Sequence, residues 1–283
     1  MDYKKGEMVK HPSMPEWGLG KVLEDSRDYK VRIFFTEDGR KTLSLRHVEP
    51  IKISGKDARH PVLDHLWIKD GGGNKYQNLK TSKEMFLRDY PDGFYDQAYL
   101  SERNVKVAAH ELALSLIGPE QLGALVGQKD YEEICKRALK LVNASNLIVP
   151  SEKLALKNGL KDSENRELFS ENLYQLLYGN EGVEERFVSF ARALAAIKAA
   201  KWATLSYFLF IIFPDKYILL KPIVTELAAE ISAFEINYRS DLNWRTYKSV
   251  LNFSEYFRSE LKDLKPRDMI DIQSFMWSIR SNN

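Results

Sequence analysis

The sequence is nearly without cysteine. Its single thiol, Cys135, has no partner for an internal disulfide, and the helical setting YEEICKRALKLV reads as a buried thiol in a protein of the reducing cytoplasm. Neither sign of charge dominates: 42 lysines and arginines against 40 aspartates and glutamates leave a net +2. Overall charge therefore carries no footprint of nucleic acid, and a basic surface has to come from local clustering. Long apolar runs are missing as well. The most hydrophobic one, WATLSYFLFIIF (202–213), is shorter than the about 20 residues a bilayer span needs and reads as a buried core helix. The opening MDYKKGEMVK lacks the apolar region of a secretory signal. The five histidines, His11, His47, His60, His65 and His110, show no metal-ligand spacing. The glycine-rich DGGGNKYQN (70–78) lacks the Gly-Lys-Ser/Thr ending and the preceding buried strand of a phosphate loop, and reads as a flexible loop. No cofactor, metal or membrane is expected.

What is present is material for a real core, 44% of 283 residues being hydrophobic, arranged with two different periods. The first fifty residues alternate like short strands, EMVKHP, GLGKVLEDS, YKVRIFFTEDG and RKTLSLRHVEPI, broken by Gly, Pro and Asp-Gly turns. From about residue 83 the period is helical. The expected organisation is a small SH3- or Tudor-like β-barrel over 1–53, a polar connection over 54–82 and an α-helical domain over 83–283, giving a mainly α fold.

In the N-terminal part, Gly6-x-x-Val9, His11-Pro12, Trp17-Gly18-x-Gly20-x-Val22, the Ile33-Phe34-Phe35 strand and the Gly39-x-Lys41 turn stand in sequence. This pattern resembles the small barrel found at the C-termini of UvrD-type helicases and, more distantly, in CarD-type polymerase-binding proteins. The resemblance implies a contact module for nucleic acid or RNA polymerase, without chemistry of its own. Lys10, His11, Lys21, Arg32, Arg40, Lys41, Arg46 and His47 can form a phosphate-facing edge beside Trp17; alternatively Trp17 closes the core and the charges are solvated.

The stretch YILLKPIVTE (217–226) sets the main question. Pro222 reads as the first residue of a helix, since its missing N–H is one the helix cannot use there. That puts Lys221 at the N-cap, where a side-chain acceptor is preferred and the helix dipole is positive. The longer order LAAIKAAKWATLSYFLFIIFPDKYILLKPIVTELAAEI (194–231) resembles the core of helix-hairpin-helix DNA glycosylases: helix, tight turn, apolar helix, Pro-containing loop, and a residue delivered to the next helix start. That family implies a DNA phosphate gripped at the hairpin, here by Lys198, Lys201 and Trp202, and a catalytic aspartate at the position that holds Lys221. The usual glycine-rich turn is replaced by Ala199-Ala200-Lys201-Trp202. Base removal passes through a cationic sugar that wants a carboxylate, which a protonated lysine does not offer. Lys221 then fits three roles: an amine nucleophile, a phosphate anchor, or a structural cation paired with a buried acid.

The partner expected for Lys221 lies in KPRDMIDIQSFMW (265–277). Asp268 is a natural N-cap; Asp271 falls among Met269, Ile270 and Ile272, where an unpaired carboxylate is costly. Asp271 is expected either to neutralise Lys221 or to supply the missing carboxylate, the alternative being an exposed first-turn acid. Aromatics crowd the last third, and Tyr238, Tyr247 and Trp277 are expected to wall a slot for an extruded base, although most such rings belong to a core. Arg239 and Asn243, in the loop between two helices, can reach a base or phosphate or simply connect the helices. Glu102 and Arg103 read as a local pair, with Arg103 or Lys106 alternatively on the DNA surface. Asn146 and Glu152 read as capping residues first, with a catalytic carboxylate second.

These readings converge on a DNA glycosylase-like enzyme that extrudes and excises a modified or damaged base from duplex DNA. Its unconventional site points to an unconventional substrate, such as hypermodified phage DNA, and to an antiviral role. The rivals are a non-enzymatic DNA- or RNA-polymerase-binding regulator and a defence component whose helices hold a protein partner.

Overall fold

A computed structural model describes residues 2–68 and 76–281. It is mainly helical behind an N-terminal antiparallel sheet of β1 (Met8–Lys10), β2 (Leu19–Val22), β3 (Lys30–Phe35), β4 (Gly39–Ser44) and β5 (Ile51–Ile53). The strands pair in the order β4-β3-β2-β1-β5. The expected barrel does not close. β4 and β5 form opposite edges, and at three residues each β1 and β5 have too little length to carry one edge round to the other.

Strand alternation gives the sheet two apolar faces. Val31, Ile33 and Phe35 pack with Tyr3, Val9, Val22 and Leu43 into a small core of the sheet's own. Phe34 points the other way and joins Leu19 in the main helical core, its ring edge-on to Tyr76 at 4.6 Å. The Tyr76 hydroxyl donates to the Thr36 carbonyl and Lys21 Nζ donates to the Leu63 carbonyl at 2.6 Å. The sheet is thus seated on the helices by a buried ring and by hydrogen bonds at its flanks.

The stretch 54–82 holds α1 (Pro61–Asp64) and the beginning of α2 (Leu79–Asp89). It lies along the helical body: the Trp67 and Gln77 amides donate to the carbonyls of Ala233 at 3.0 Å and Ile231 at 2.9 Å. Of the glycine-rich stretch read as a flexible loop, 70–75 lie outside the described residues.

The helices continue as α3 (Gln97–Ile117), α4 (Pro119–Gly127), α5 (Tyr131–Asn143), α6 (Pro150–Gly159), α7 (Ser163–Tyr178), α8 (Val183–Ala196), α9 (Trp202–Ile212), α10 (Pro222–Ile231), α11 (Trp244–Glu260) and α12 (Met269–Ser281). Their starts follow from side-chain chemistry. Asn78, Asp96, Asp130, Asp162 and Asn243 each accept a hydrogen bond from the first-turn backbone, and proline opens α4, α6 and α10. α9 is buried along its whole length, so its apolar sequence fills the centre of the body. Cys135 is buried in α5, where desolvation pushes its thiol up to about 11. Among the described residues no helix is long and apolar enough to cross a membrane.

Candidate functional site

α8 and α9 form a helical hairpin whose turn runs from Ile197 to Lys201. Lys198 sits there with φ +59°, the left-handed conformation that favours glycine. Its amide and that of Ala199 close the end of α8 on the carbonyls of Ala195 (3.0 Å) and Leu194 (2.8 Å). Lys201 is the N-cap of α9, without a side-chain cap. After α9, Tyr217 to Leu220 run extended without joining the sheet. The run is pinned from both sides: the Leu220 amide donates to Ser206 Oγ at 2.9 Å, and the Tyr247 hydroxyl donates to the Ile218 carbonyl at 2.9 Å. This delivers Lys221 to the N-cap of α10, again without a side-chain cap, with Pro222 as the first helical residue.

Lys221 borders a cavity of about 370 Å³, within the roughly 300–1,000 Å³ of small-ligand sites. α3 contributes Glu102, Val105 and Lys106, the segment before α6 contributes Asn146 and Leu147, and α12 contributes Gln273 and Trp277. The Lys221 ammonium stands 5.5 Å from the centre of the Trp277 ring, a cation–π contact. Lys106 Nζ donates to Glu102 Oε1 at 2.8 Å and to Ser274 Oγ at 2.8 Å. One exposed indole and several amide, ammonium and carboxylate tips therefore converge on one opening.

The acid from the tail is elsewhere. Asp271 is fully buried, and its two oxygens accept from the Tyr99 hydroxyl, from Arg103 Nη1 at 2.8 Å, and from the Arg267 amide, Nε and Nη2 at 2.7, 3.0 and 3.1 Å. Arg103 also grips Asp268 Oδ1 at 2.7 Å and Oδ2 at 2.5 Å. Burial opposes the charge on Arg103, but the Asp268 hydrogen bond and the fields of Asp271 and Asp268 outweigh it and hold the guanidinium protonated more firmly than usual. Burial and the Asp271 charge push the Tyr99 phenol up. The expectation that Asp271 would face Lys221 is thus corrected: a carboxylate with this set of donors is the centre of an ion cluster. The expected Glu102–Arg103 pair is corrected with it, since Glu102 pairs with Lys106.

Among the rings chosen for a base slot, Trp277 alone lines the cavity. Tyr247 is completely buried, stacked on Phe187 at 4.9 Å, so it holds the extended run in place and does not face a ligand. Trp202 is 3% exposed and its indole N–H donates to the Arg239 carbonyl at 2.9 Å; this corrects its placement on DNA. Tyr238 and Arg239 border a second cavity of about 450 Å³ with Trp67, Glu226, Glu230 and Arg245. Asn243 is the α11 cap, accepting from Thr246 N at 2.8 Å. Lys198 and Lys201 are exposed on the hairpin.

On the sheet, His11 is buried and Trp17 is partly buried, 4.6 Å apart, with Trp17 against Phe35 at 5.2 Å and Lys41 Nζ over its ring at 5.3 Å. Trp17 therefore closes the sheet core while its outer face carries a cation. Lys10 and Arg46 are exposed, Arg46 lying over the Tyr29 ring at 4.9 Å. Lys5, Lys21, Arg32 and Arg40 meet instead at a groove of about 380 Å³ between the sheet and Leu66 and Ile68.

One residue gains weight. Glu152, in the first turn of α6, keeps a buried carboxylate oxygen, Oε2, with no hydrogen-bond partner. Burial raises its pKa, against the opposing pull of the Lys201 and Lys221 charges. The sequence holds one signal of this: the residue before Pro150 is Val149, which has no side-chain acceptor, so the capping box that would occupy a glutamate here is missing its first member. Among the described residues no group of acids, histidines and cysteine is placed to hold a metal ion.

Residues 3–52 match a family model described as a protein of unknown function, DUF3553. The match covers the strand-rich N-terminal part alone. No curated protein and no solved structure matches the chain significantly.

Proposed function

We propose that this is a DNA glycosylase-like protein that flips a modified or damaged base out of duplex DNA and hydrolyses its N-glycosidic bond, with hypermodified phage DNA in the cytoplasm as the fitting substrate. The observation that carries the reading is the joint exposure of Lys221 and Trp277 to one cavity of ligand size. A flipped base needs a flat surface to stack on and polar tips to read its edge. Trp277 offers the first, and Asn146, Gln273 and Lys106 offer the second. The order hairpin, buried helix, extended run and a helix opened by Lys221-Pro222 also resembles the helix-hairpin-helix glycosylases, in which the hairpin meets the DNA backbone. In this reading Lys198 and Lys201 serve that backbone and Lys221 serves the sugar and base.

The test uses duplexes carrying cytosine, 5-hydroxymethylcytosine or a glucosylated cytosine, scored for alkali-labile abasic sites. The reading expects breaks on at least one modified duplex, lost in Trp277→Ala and Lys221→Met. Absence of breaks on every duplex would remove the enzymatic reading.

A second reading draws on the sheet groove. Four cations, Lys5, Lys21, Arg32 and Arg40, gather there with Glu24 as the one acid. A DNA- or polymerase-binding regulator would use this groove, and its duplex or polymerase binding would survive Lys221→Met and weaken in Arg32→Gln with Arg40→Gln.

A further inference from the structure

The cavity of about 450 Å³ that holds Tyr238 and Arg239 has no part in the base-excising reading. It is lined by α10, the loop from α10 to α11, the start of α11 and Trp67. Three kinds of group meet in it. Trp67 and Tyr238 are half-buried rings that, among the described residues, stack on no other ring, whereas buried aromatics elsewhere crowd one another, as Phe187 and Tyr247 do at 4.9 Å. Glu226 and Glu230 reach the cavity from one side of α10, a turn apart. Arg239 and Arg245 border the same space, yet among the described residues neither forms an ion pair. Neutral partners hold the arginines in place. The Arg239 carbonyl accepts from the Trp202 indole at 2.9 Å, and Arg245 Nη2 donates to Asn237 Oδ1 at 2.7 Å. Asn237 is itself fixed, its amide donating to Glu235 Oε1 at 2.6 Å and its carbonyl accepting from Thr246 Oγ1 at 2.6 Å. Opposite charges that share a cavity without meeting leave room between them for a ligand complementary to both.

We propose that this cavity binds a free guanine nucleotide, with its base against Trp67 and Tyr238, its base N–H groups on the α10 glutamates and its phosphate on Arg239 and Arg245. The chemistry of each group narrows the ligand to this class. Unstacked rings take a flat partner. Two guanidiniums without carboxylates suit a terminal phosphate, which carries nearly two charges at neutral pH and accepts forked hydrogen bonds. A phosphodiester within a strand carries only one. Guanine presents two donors side by side, N1–H and N2–H, to a single carboxylate; adenine presents its unprotonated N1 there, which a carboxylate repels. None of these residues lines the cavity of Lys221 and Trp277, so the site stands whether or not that cavity excises a base.

The test is isothermal titration calorimetry of the full-length protein with GMP, AMP, guanosine and inorganic phosphate, repeated on Arg239→Gln, Glu230→Gln and Trp67→Ala with a thermal melt for each variant. Arg239 is exposed and its side chain braces nothing among the described residues, so Arg239→Gln keeps the fold. GMP is expected to bind, with AMP weaker by about tenfold or more, the worth of a hydrogen bond to a charged group. Guanosine, and GMP on Arg239→Gln, should each lose about tenfold for the same reason. Glu230→Gln should narrow the preference for GMP over AMP, and Trp67→Ala should weaken both nucleotides alike. No binding of GMP up to about 1 mM, equal affinity for GMP and AMP, phosphate binding as tightly as GMP, or unchanged GMP affinity in Arg239→Gln overturns the assignment.

Discussion

Arg103 and Asp271 face each other at 2.8 Å inside the protein, joining α3 to the first turn of α12 with the aspartate fully buried. The pair is the middle of a larger cluster in which Asp268 caps α12, accepting from Ile270 N at 2.9 Å, and Arg267 reaches back to the Phe94 carbonyl at 2.6 Å. Its work is to fix the helix that carries Trp277. Every polar atom of the Asp271 carboxylate is engaged, so this cluster acts on the cavity through position and not through chemistry.

Removing that charge leaves two guanidiniums without their shared partner. Asp271→Asn is expected to cost about 3–5 kcal/mol of stability, the usual penalty for breaking a buried pair from one side. Urea denaturation followed by far-UV circular dichroism measures it. A variant as stable as wild type would mean that the cluster is held together without Asp271.

The start of α10 was legible because its signal is local, Pro222 marking it unaided; Asn78, Asp96, Asp130, Asp162 and Asn243 also cap within three residues of themselves, although in sequence Asn243 reads as a base or phosphate contact or an inter-helix connection. The partner of Asp271 was not, because Arg103 lies 168 residues away and no local pattern ties the two. The same limit explains Trp202 and Tyr247. Their neighbourhood of aromatics reads equally as a slot or as a core, and the choice was made by Arg239 and Ile218 carbonyls that need donors. In KVRIFF the adjacent Phe34 and Phe35 announce a strand buried on both faces, but not that the second face meets helices. The N-cap place of Lys221 was readable from Pro222; that it shares a cavity with Trp277 was not, since α10 and α12 come together only in the tertiary packing.

Glu152 also makes a prediction about stability. Its folded pKa lies above the ordinary 4.5, with burial as the main cause. Below about that value the group is protonated in both states and contributes nothing. As pH rises past it, the unfolded chain releases a proton that the folded chain retains, so stability falls until the folded group has titrated too, and the deficit then persists. Glu152→Gln removes this penalty. The variant is expected to melt at the wild-type temperature near pH 4 and above it at pH 7, as a pair of thermal melts at the two pH values would show. A variant less stable than wild type at pH 7 would mean that the Lys201 and Lys221 charges outweigh desolvation.

Lys198 offers a way to separate fold from DNA contact in a single substitution. Its backbone is left-handed, φ +59°, which costs an L-residue roughly 1–2 kcal/mol relative to glycine. The turn nonetheless carries a long cation there, exposed beside Lys201. Lys198→Gly relieves the strain and deletes the charge, so it should raise stability by up to about 1 kcal/mol, part of the gain being lost to the freer unfolded chain. If the hairpin grips a DNA phosphate, the same variant should bind duplex more weakly and lower the slope of log affinity against log salt by about 1. Fluorescence anisotropy across a salt series, run beside a thermal melt, reads both effects from one preparation. A stabilised variant with an unchanged salt slope would take Lys198 off the DNA surface, whereas a destabilised one would show that its side chain braces the hairpin.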